Sequence, residues 1–256
     1  MQNLVGTNQY LSIIDKSQFS CYNFFVSLLD FLYPKRCVAC KKFGSYVCAA
    51  CFSYITFIDH MVCCVCQRQA MGGYTHPVCK TKYTIDGIYS SLVYKGVVKK
   101  LVYTFKYPPY LTNLQTLLGE LFFEGIIQKE PFYKLLTEPS VFVPIPLHAK
   151  KLRKRGYNQA ELLAKALTEY FGAPVVNYLM RAKETKTQVG LQKEERLANI
   201  SGAFSLAPQF ETIEPTVQVF LIDDVATSGA TMREAAKVLK KAGVAKVWGL
   251  TLAHGE

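Results

Sequence analysis

The sequence predicts an α/β protein, a doubly wound and mostly parallel sheet preceded by a small cysteine-rich metal-binding module. Three observations carry this. From residue 83 to residue 256, strand-like and helix-like segments alternate, as in a parallel sheet covered by helices on both faces. Eight of the nine cysteines fall between residues 35 and 82. Residues 219–231, VFLIDDVATSGAT, read as a buried apolar strand ending in two acids, then a turn of small hydroxyl residues and glycine, then a helix start.

The chain has 256 residues, of which 50% are hydrophobic and 19% charged, enough apolar material for a packed core and more than one small unit needs. Its formal net charge of +11 suits a polyanionic ligand, either a sugar phosphate or a nucleic acid. No stretch is long and apolar enough for a transmembrane segment. The most apolar N-terminal run, residues 24–33, is short and contains Asp30. It lacks the basic flank and cleavage site of an export signal. Nine cysteines without such a signal favour metal over disulfides and a reducing cytoplasm.

Three zones are expected: residues 1–33, a polar tail and a short amphipathic helix ended by Pro34; residues 34–82, the zinc-binding module; and residues 83–256, the α/β domain. No long internal repeat is evident. In the second zone, Cys37-x-x-Cys40 and Cys48-x-x-Cys51 place two pairs of thiolates where one tetrahedral Zn²⁺ takes them. Cys63, Cys66 and Cys79 offer three ligands for a second ion. Lys82 stands where a fourth cysteine would fall, and His76 completes a Cys₃His set. Spacing also permits an interleaved pairing of Cys37/Cys40 with Cys63/Cys66. Cys64 is read as a spare thiol, and Cys21 as a core thiol. Zinc would supply the folding energy of so small a module.

In the third zone, strands are expected at residues 87–94, 141–146, 175–179, 219–222 and 246–253. Helices are expected at residues 113–127, with Leu114, Leu117, Leu118, Leu121 and Phe122 inward, and at residues 158–171, with Asn158 and Glu161 in a capping box. A last helix should bury Met232, Ala235, Ala236, Leu239 and Ala242 and stop at Gly243. Ligands of such sheets bind beyond the carboxyl ends of the strands. The acids and the loop after Pro146 sit at such ends. The run from Lys150 to Arg155 holds five Lys/Arg residues in six positions and reads as a basic loop fit for a pyrophosphate. Residues 181–191, polar and basic, read by themselves as a surface excursion, with a lid over the site as the other reading.

The strand, the two acids and the Thr-Ser-Gly turn resemble the ribose-5-phosphate site of type I phosphoribosyltransferases. That resemblance implies that Asp223 and Asp224 hold the ribose hydroxyls, and that Thr227, Ser228, Gly229, Ala230 and Thr231 hold the 5′-phosphate. The cysteine pairs, Pro144-Ile145-Pro146, the Arg153-Lys154-Arg155-Gly156-Tyr157-Asn158-Gln159 run, the Thr187-Gln188-x-x-Leu191 segment with Arg196 and Asn199, and the acidic turn together resemble the ComF family. Two departures are Lys82 for a final Cys and Ser228 for a second Thr. The resemblance implies phosphoribosyl pyrophosphate (PRPP) with Mg²⁺ as ligand and phosphoribosyl transfer to an acceptor as activity. It also implies a link to DNA uptake, with single-stranded DNA or DNA-processing proteins as partners. Lys150, Arg153 and Arg155 are the expected pyrophosphate contacts. Arg181, Lys183 and Gln188 are the expected closing residues. A non-catalytic PRPP or nucleotide sensor and a zinc-dependent single-stranded DNA-binding protein are the alternatives on the same fold.

Overall fold

The computed structural model describes residues 34–108, 111–136, 138–185 and 193–255. The expected N-terminal helix, Cys21 and Gln188 lie outside them. Strands β1 (Gly87–Val93), β2 (Ser140–Pro144), β3 (Leu179–Arg181), β4 (Phe204–Leu206), β5 (Gln218–Ala226) and β6 (Lys246–His254) form two sheets. The main one has four strands in the order β1-β6-β5-β2, all parallel. The other is an antiparallel ribbon of β3 and β4.

Both faces of the main sheet are covered, and the alternation of β5 divides its core. Phe220 and Ile222 join one cluster with Tyr89, Phe142 and Leu250. Val219 and Leu221 join the other with Ile88, Val143 and Val247. The first cluster is closed by helices α2 (Gly96–Lys106), α3 (Leu114–Ile127) and α6 (Gln159–Phe171), the second by α8 (Ala230–Lys241). The remaining helices are the short α1 (Ala49–Phe52), α4 (Glu130–Leu135), α5 (Ala149–Arg155) and α7 (Lys193–Ile200). Among the described residues no helix is long and apolar enough to cross a membrane.

Several elements differ from the sequence expectation. The strand expected at residues 175–179 is a single bridge from Val175 to Phe142, and pairing begins at Leu179. The capping box does not form. Asn158 Oδ1 accepts from the Ala160 N–H at 3.2 Å, and Glu161 instead pairs with Lys165 at 2.7 Å, one turn on. Ala242 is the C-cap of α8 and, partly buried, packs against the same core as Met232, Ala235, Ala236 and Leu239. The basic run is not a loop but the helix α5, and α2 had no sequence expectation.

The cysteine-rich segment is a short repeat. The Cys37 N–H donates to Lys42 O and the Cys63 N–H to Arg68 O, both at 2.8 Å. The bridges Arg36–Phe43 and Val62–Gln69 correspond. Lys41 (φ 68°) and Gln67 (φ 63°) close the two turns in the left-handed region, the only non-glycine residues to do so among the described residues. The repeat escaped sequence reading because little beyond the cysteine spacing is shared.

Candidate active site and metal centres

Each turn carries a ligand cluster. The ligand atoms of Cys37, Cys40, Cys48 and Cys51 lie within 4.8 Å of one another, as do those of Cys63, Cys66, His76 and Cys79. The pairs are therefore consecutive, not interleaved. The donor chemistry fits Zn²⁺, four soft or imidazole ligands in each cluster. Geometry also selects the ligating nitrogen of His76. Its Nε2 donates to Gln69 O at 3.0 Å, leaving the Nδ1 lone pair toward Cys66 Sγ, 3.3 Å away. The Arg68 backbone N–H, reinforced by its side chain, holds the Cys66 thiol down at about 6, so a thiolate is available. Cys64 behaves differently. Burial pushes its thiol up to about 12, and it points away from the cluster into the core.

At the carboxyl end of β5, strand pairing runs through both acids to Ala226, so Asp223 and Asp224 belong to the strand itself. Successive side chains take opposite faces. Asp224 is buried and pairs with Lys106 Nζ of α2 at 2.7 Å. Although burial opposes its charge, the neighbouring Asp224 carboxylate holds the Lys106 ammonium above its ordinary value. Burial, then the adjacent Asp224, push the Asp223 carboxyl up to about 7. Its countercharges are Lys106 and Arg181 of β3.

Thr227, Ser228 and Gly229 then turn the chain into α8. Gly229 is the N-cap at φ 68° and provides no side-chain cap. The first N–H groups of the twelve-residue helix thus face the turn. The Ser228 hydroxyl is buried there without a hydrogen-bond partner. A buried, unpartnered hydroxyl beside open backbone donors is what an anion site requires before its ligand arrives.

Beside this turn opens a cleft of about 430 Å³, lined by Lys106, Lys151, Lys154, Arg155, Arg181, Asp223, Asp224 and Thr231 among others. The helical form of α5 decides which basic residues reach it. Lys151, Lys154 and Arg155 share one face at helical spacing and line the cleft. Lys150 and Arg153 are exposed and do not line it, and Lys150 pairs with Glu184 at 2.7 Å. Arg181 lines the cleft, its guanidinium 5.3 Å from the Phe204 ring and bonded to Thr185. Lys183 is exposed outside it. Sequence reading missed Lys106. It lies in a helix with no motif, and only the packing of α2 brings it to the acids. Lys151 and Lys154 belong to the basic run, and nothing in its composition separates them from Lys150 and Arg153.

A family model described as a double zinc ribbon domain matches residues 28–81. Competence protein F of Haemophilus influenzae is 41% identical over 121 residues, 46% of this chain and 52% of that protein. DNA utilization protein YhgH of Escherichia coli is 32% identical over 121 residues, 45% of this chain and 50% of that protein. Competence protein ComFC of Bacillus subtilis is 29% identical over 221 residues, 80% of this chain and 83% of that protein. The match to the first two spans about half the length of each relative. A parallel α/β fold with an acidic strand end and an N-terminal double zinc ribbon defines a zinc-binding, phosphoribosyltransferase-like protein. These similarities support an assignment to the ComF family.

Proposed function

We propose that this protein binds PRPP with Mg²⁺ and transfers its phosphoribosyl group to an acceptor in a process linked to DNA uptake or DNA processing. The observation that carries the reading is the junction of β5 and α8. Two acids fit for ribose hydroxyls stand next to a buried unpartnered hydroxyl and an uncapped helix N-terminus, beside a cleft with five basic side chains. Residues 34–82 would be the zinc module, with one Zn²⁺ in each cluster, and residues 83–256 the phosphoribosyl domain.

In this reading the turn 227–231 donates N–H and hydroxyl groups to the 5′-phosphate. Asp223 and Asp224 accept from the ribose 2′- and 3′-hydroxyls. Lys151, Lys154 and Arg155 face the pyrophosphate, and Arg181 approaches from the β3–β4 ribbon. The reaction forms a bond from the acceptor's lone pair to C1 as the C1–O bond to pyrophosphate breaks, the electron pair leaving on pyrophosphate. The basic side chains stabilise the charge that builds on the leaving group, so catalysis is positional and electrostatic. Carboxylates at the cleft floor and ligand phosphates make an oxygen-rich setting that fits Mg²⁺, which supplies further charge neutralisation when bound.

The relatives' names, competence protein and DNA utilization protein, support the DNA link. Single-stranded DNA binding is a second reading. Tyr103 is exposed and lies 4.8 Å from Tyr107 at the rim of the cleft, and Arg36 lies 4.3 Å from the exposed Phe43 ring on the first ribbon. Both are stacking platforms.

Calorimetric titration of zinc-loaded protein with PRPP and Mg²⁺ tests the first reading. Micromolar binding is expected, and its loss in Asp223→Asn/Asp224→Asn at unchanged zinc content. Equal affinity in that double variant overturns the site. Pyrophosphate release in an acceptor screen separates a transferase from a sensor.

A further inference from the structure

The second zinc ribbon touches the phosphate turn through backbone. Cys64 follows the first ligand of its turn, and its side chain leaves the metal cluster to enter the core that holds Ala226, Ala230 and Met232. Its Sγ lies 3.8 Å from Gly229 O, across 165 positions of sequence. Gln67 Nε2 donates to Cys64 O at 3.0 Å, tying the left-handed corner of the turn to the same contact. A Cβ on Gly229 would fall 2.6 Å from both Cys64 O and Cys64 Sγ, closer than atoms tolerate. Gly229 is therefore required twice, for its φ of 68° and for the approach of the ribbon. Its carbonyl also accepts from the Arg233 N–H at 2.9 Å, the first bond of α8. The ribbon thus bears on the carbonyl side of the turn whose N–H side faces the anion site.

The first repeat uses the same device elsewhere. Val38 occupies the position of Cys64, and Lys41 Nζ donates to Val38 O at 3.3 Å as Gln67 does to Cys64 O. Val38, however, enters the core cluster on the opposite face of the sheet. There Lys100 of α2 donates to Ala39 O at 3.1 Å. The two repeats therefore grip opposite faces, and only the second meets the phosphate turn.

We propose that Cys64 and the second zinc turn are positioning elements for the phosphate turn, so that metal at Cys63, Cys66, His76 and Cys79 sets the affinity of residues 227–231 for a phosphate monoester. This rests on the reading of that turn as a phosphate site. The ion closes the ribbon, the ribbon presents Cys64 and Gln67 as a rigid unit, and Gly229 is held where its neighbours' N–H groups converge. Rigid backing of a binding loop raises affinity by lowering the ordering cost of the ligand contact.

The test uses full-length zinc-loaded protein, ribose 5-phosphate as probe, zinc content, and hydrogen exchange of amides 227–231. Cys64→Leu should keep its zinc, bind ribose 5-phosphate about tenfold more weakly and exchange those amides faster, because overpacking displaces the turn. Cys64→Ser, which keeps shape and a donor, should stay within about twofold of wild type. Cys79→Ser should lose metal from the second cluster alone and reproduce the Cys64→Leu phenotype. Val38→Leu, at the matching position of the first repeat, should leave ribose 5-phosphate affinity within about twofold. Unchanged affinity and exchange in both Cys64→Leu and Cys79→Ser overturn the proposal. If wild type itself fails to bind ribose 5-phosphate while the amides still respond to Cys64→Leu and Cys79→Ser, the phosphate reading falls and the mechanical contact stands.

Discussion

Lys106 Nζ lies 2.7 Å from the buried carboxylate of Asp224, joining the end of helix α2 to the end of strand β5. One cation thus serves two adjacent acids, ion-paired to Asp224 and opposing the rise of Asp223. Without it, two like charges would share a poorly solvated strand end, an arrangement that drives one of them to take a proton.

Replacing that cation should expose its role. Lys106→Met leaves Asp224 buried without its partner and is expected to destabilise the fold by about 1–3 kcal/mol. PRPP affinity should fall about tenfold, because Asp223 loses the countercharge that opposes its protonation, with zinc content unchanged. Chemical denaturation and calorimetry on the same sample check both, and full affinity at pH 7 would remove Lys106 from the site.

The raised carboxyl of Asp223 carries a stability cost of known sign. Its folded value of about 7 stands above the ordinary 3.8, so it favours the folded state below pH 3.8 and that advantage is lost as pH rises toward 7. Asp223→Asn does not titrate. It should be more stable than wild type at pH 8 by about 3–5 kcal/mol and nearly indistinguishable from it near pH 3.8. Melting curves of ligand-free protein across that window test this, and a difference independent of pH would rule out burial of the charge as its source.

The two faces of α5 should differ in function. Removing Lys151 and Arg155 together should weaken PRPP binding by about tenfold or more, since both line the cleft. Removing Lys150 and Arg153 should change it less than about twofold, because exposed charges are screened by solvent. The reverse ranking would mean that the ligand lies outside the cleft. The salt dependence of single-stranded DNA binding in the same variants shows whether nucleic acid uses the same face.

Metal stoichiometry follows from the two clusters. Elemental analysis should find two Zn²⁺ per chain, and one in His76→Ala, because three thiolates cannot close a tetrahedral structural site. His76→Cys should restore the second. A single ion in wild type, unaffected by His76→Ala, would assign the second cluster to reduced thiols.

Much of the site was legible in the sequence because it is contiguous. Residues 219–231 hold strand, acids, turn and helix start in one stretch, and local chemistry reports each part. The Cys₃His set was likewise readable from spacing. The α5 face was not. A run of Lys and Arg has no apolar period, so nothing distinguished a helix with two faces from a loop. Lys106 was hidden for a different reason, since its role depends on a contact between α2 and β5.

The sequence by itself determined the α/β class, the acidic strand end with its Thr-Ser-Gly turn and the candidate zinc ligands, because periodicity and short-range spacing encode them. Tertiary structure alone decided which cations face the acids, that the two zinc turns repeat one another on opposite faces of the sheet, and that Cys64 bears on Gly229. Those relationships join residues far apart in the chain. They are set by how a buried surface fills space, and no local pattern of residues records that.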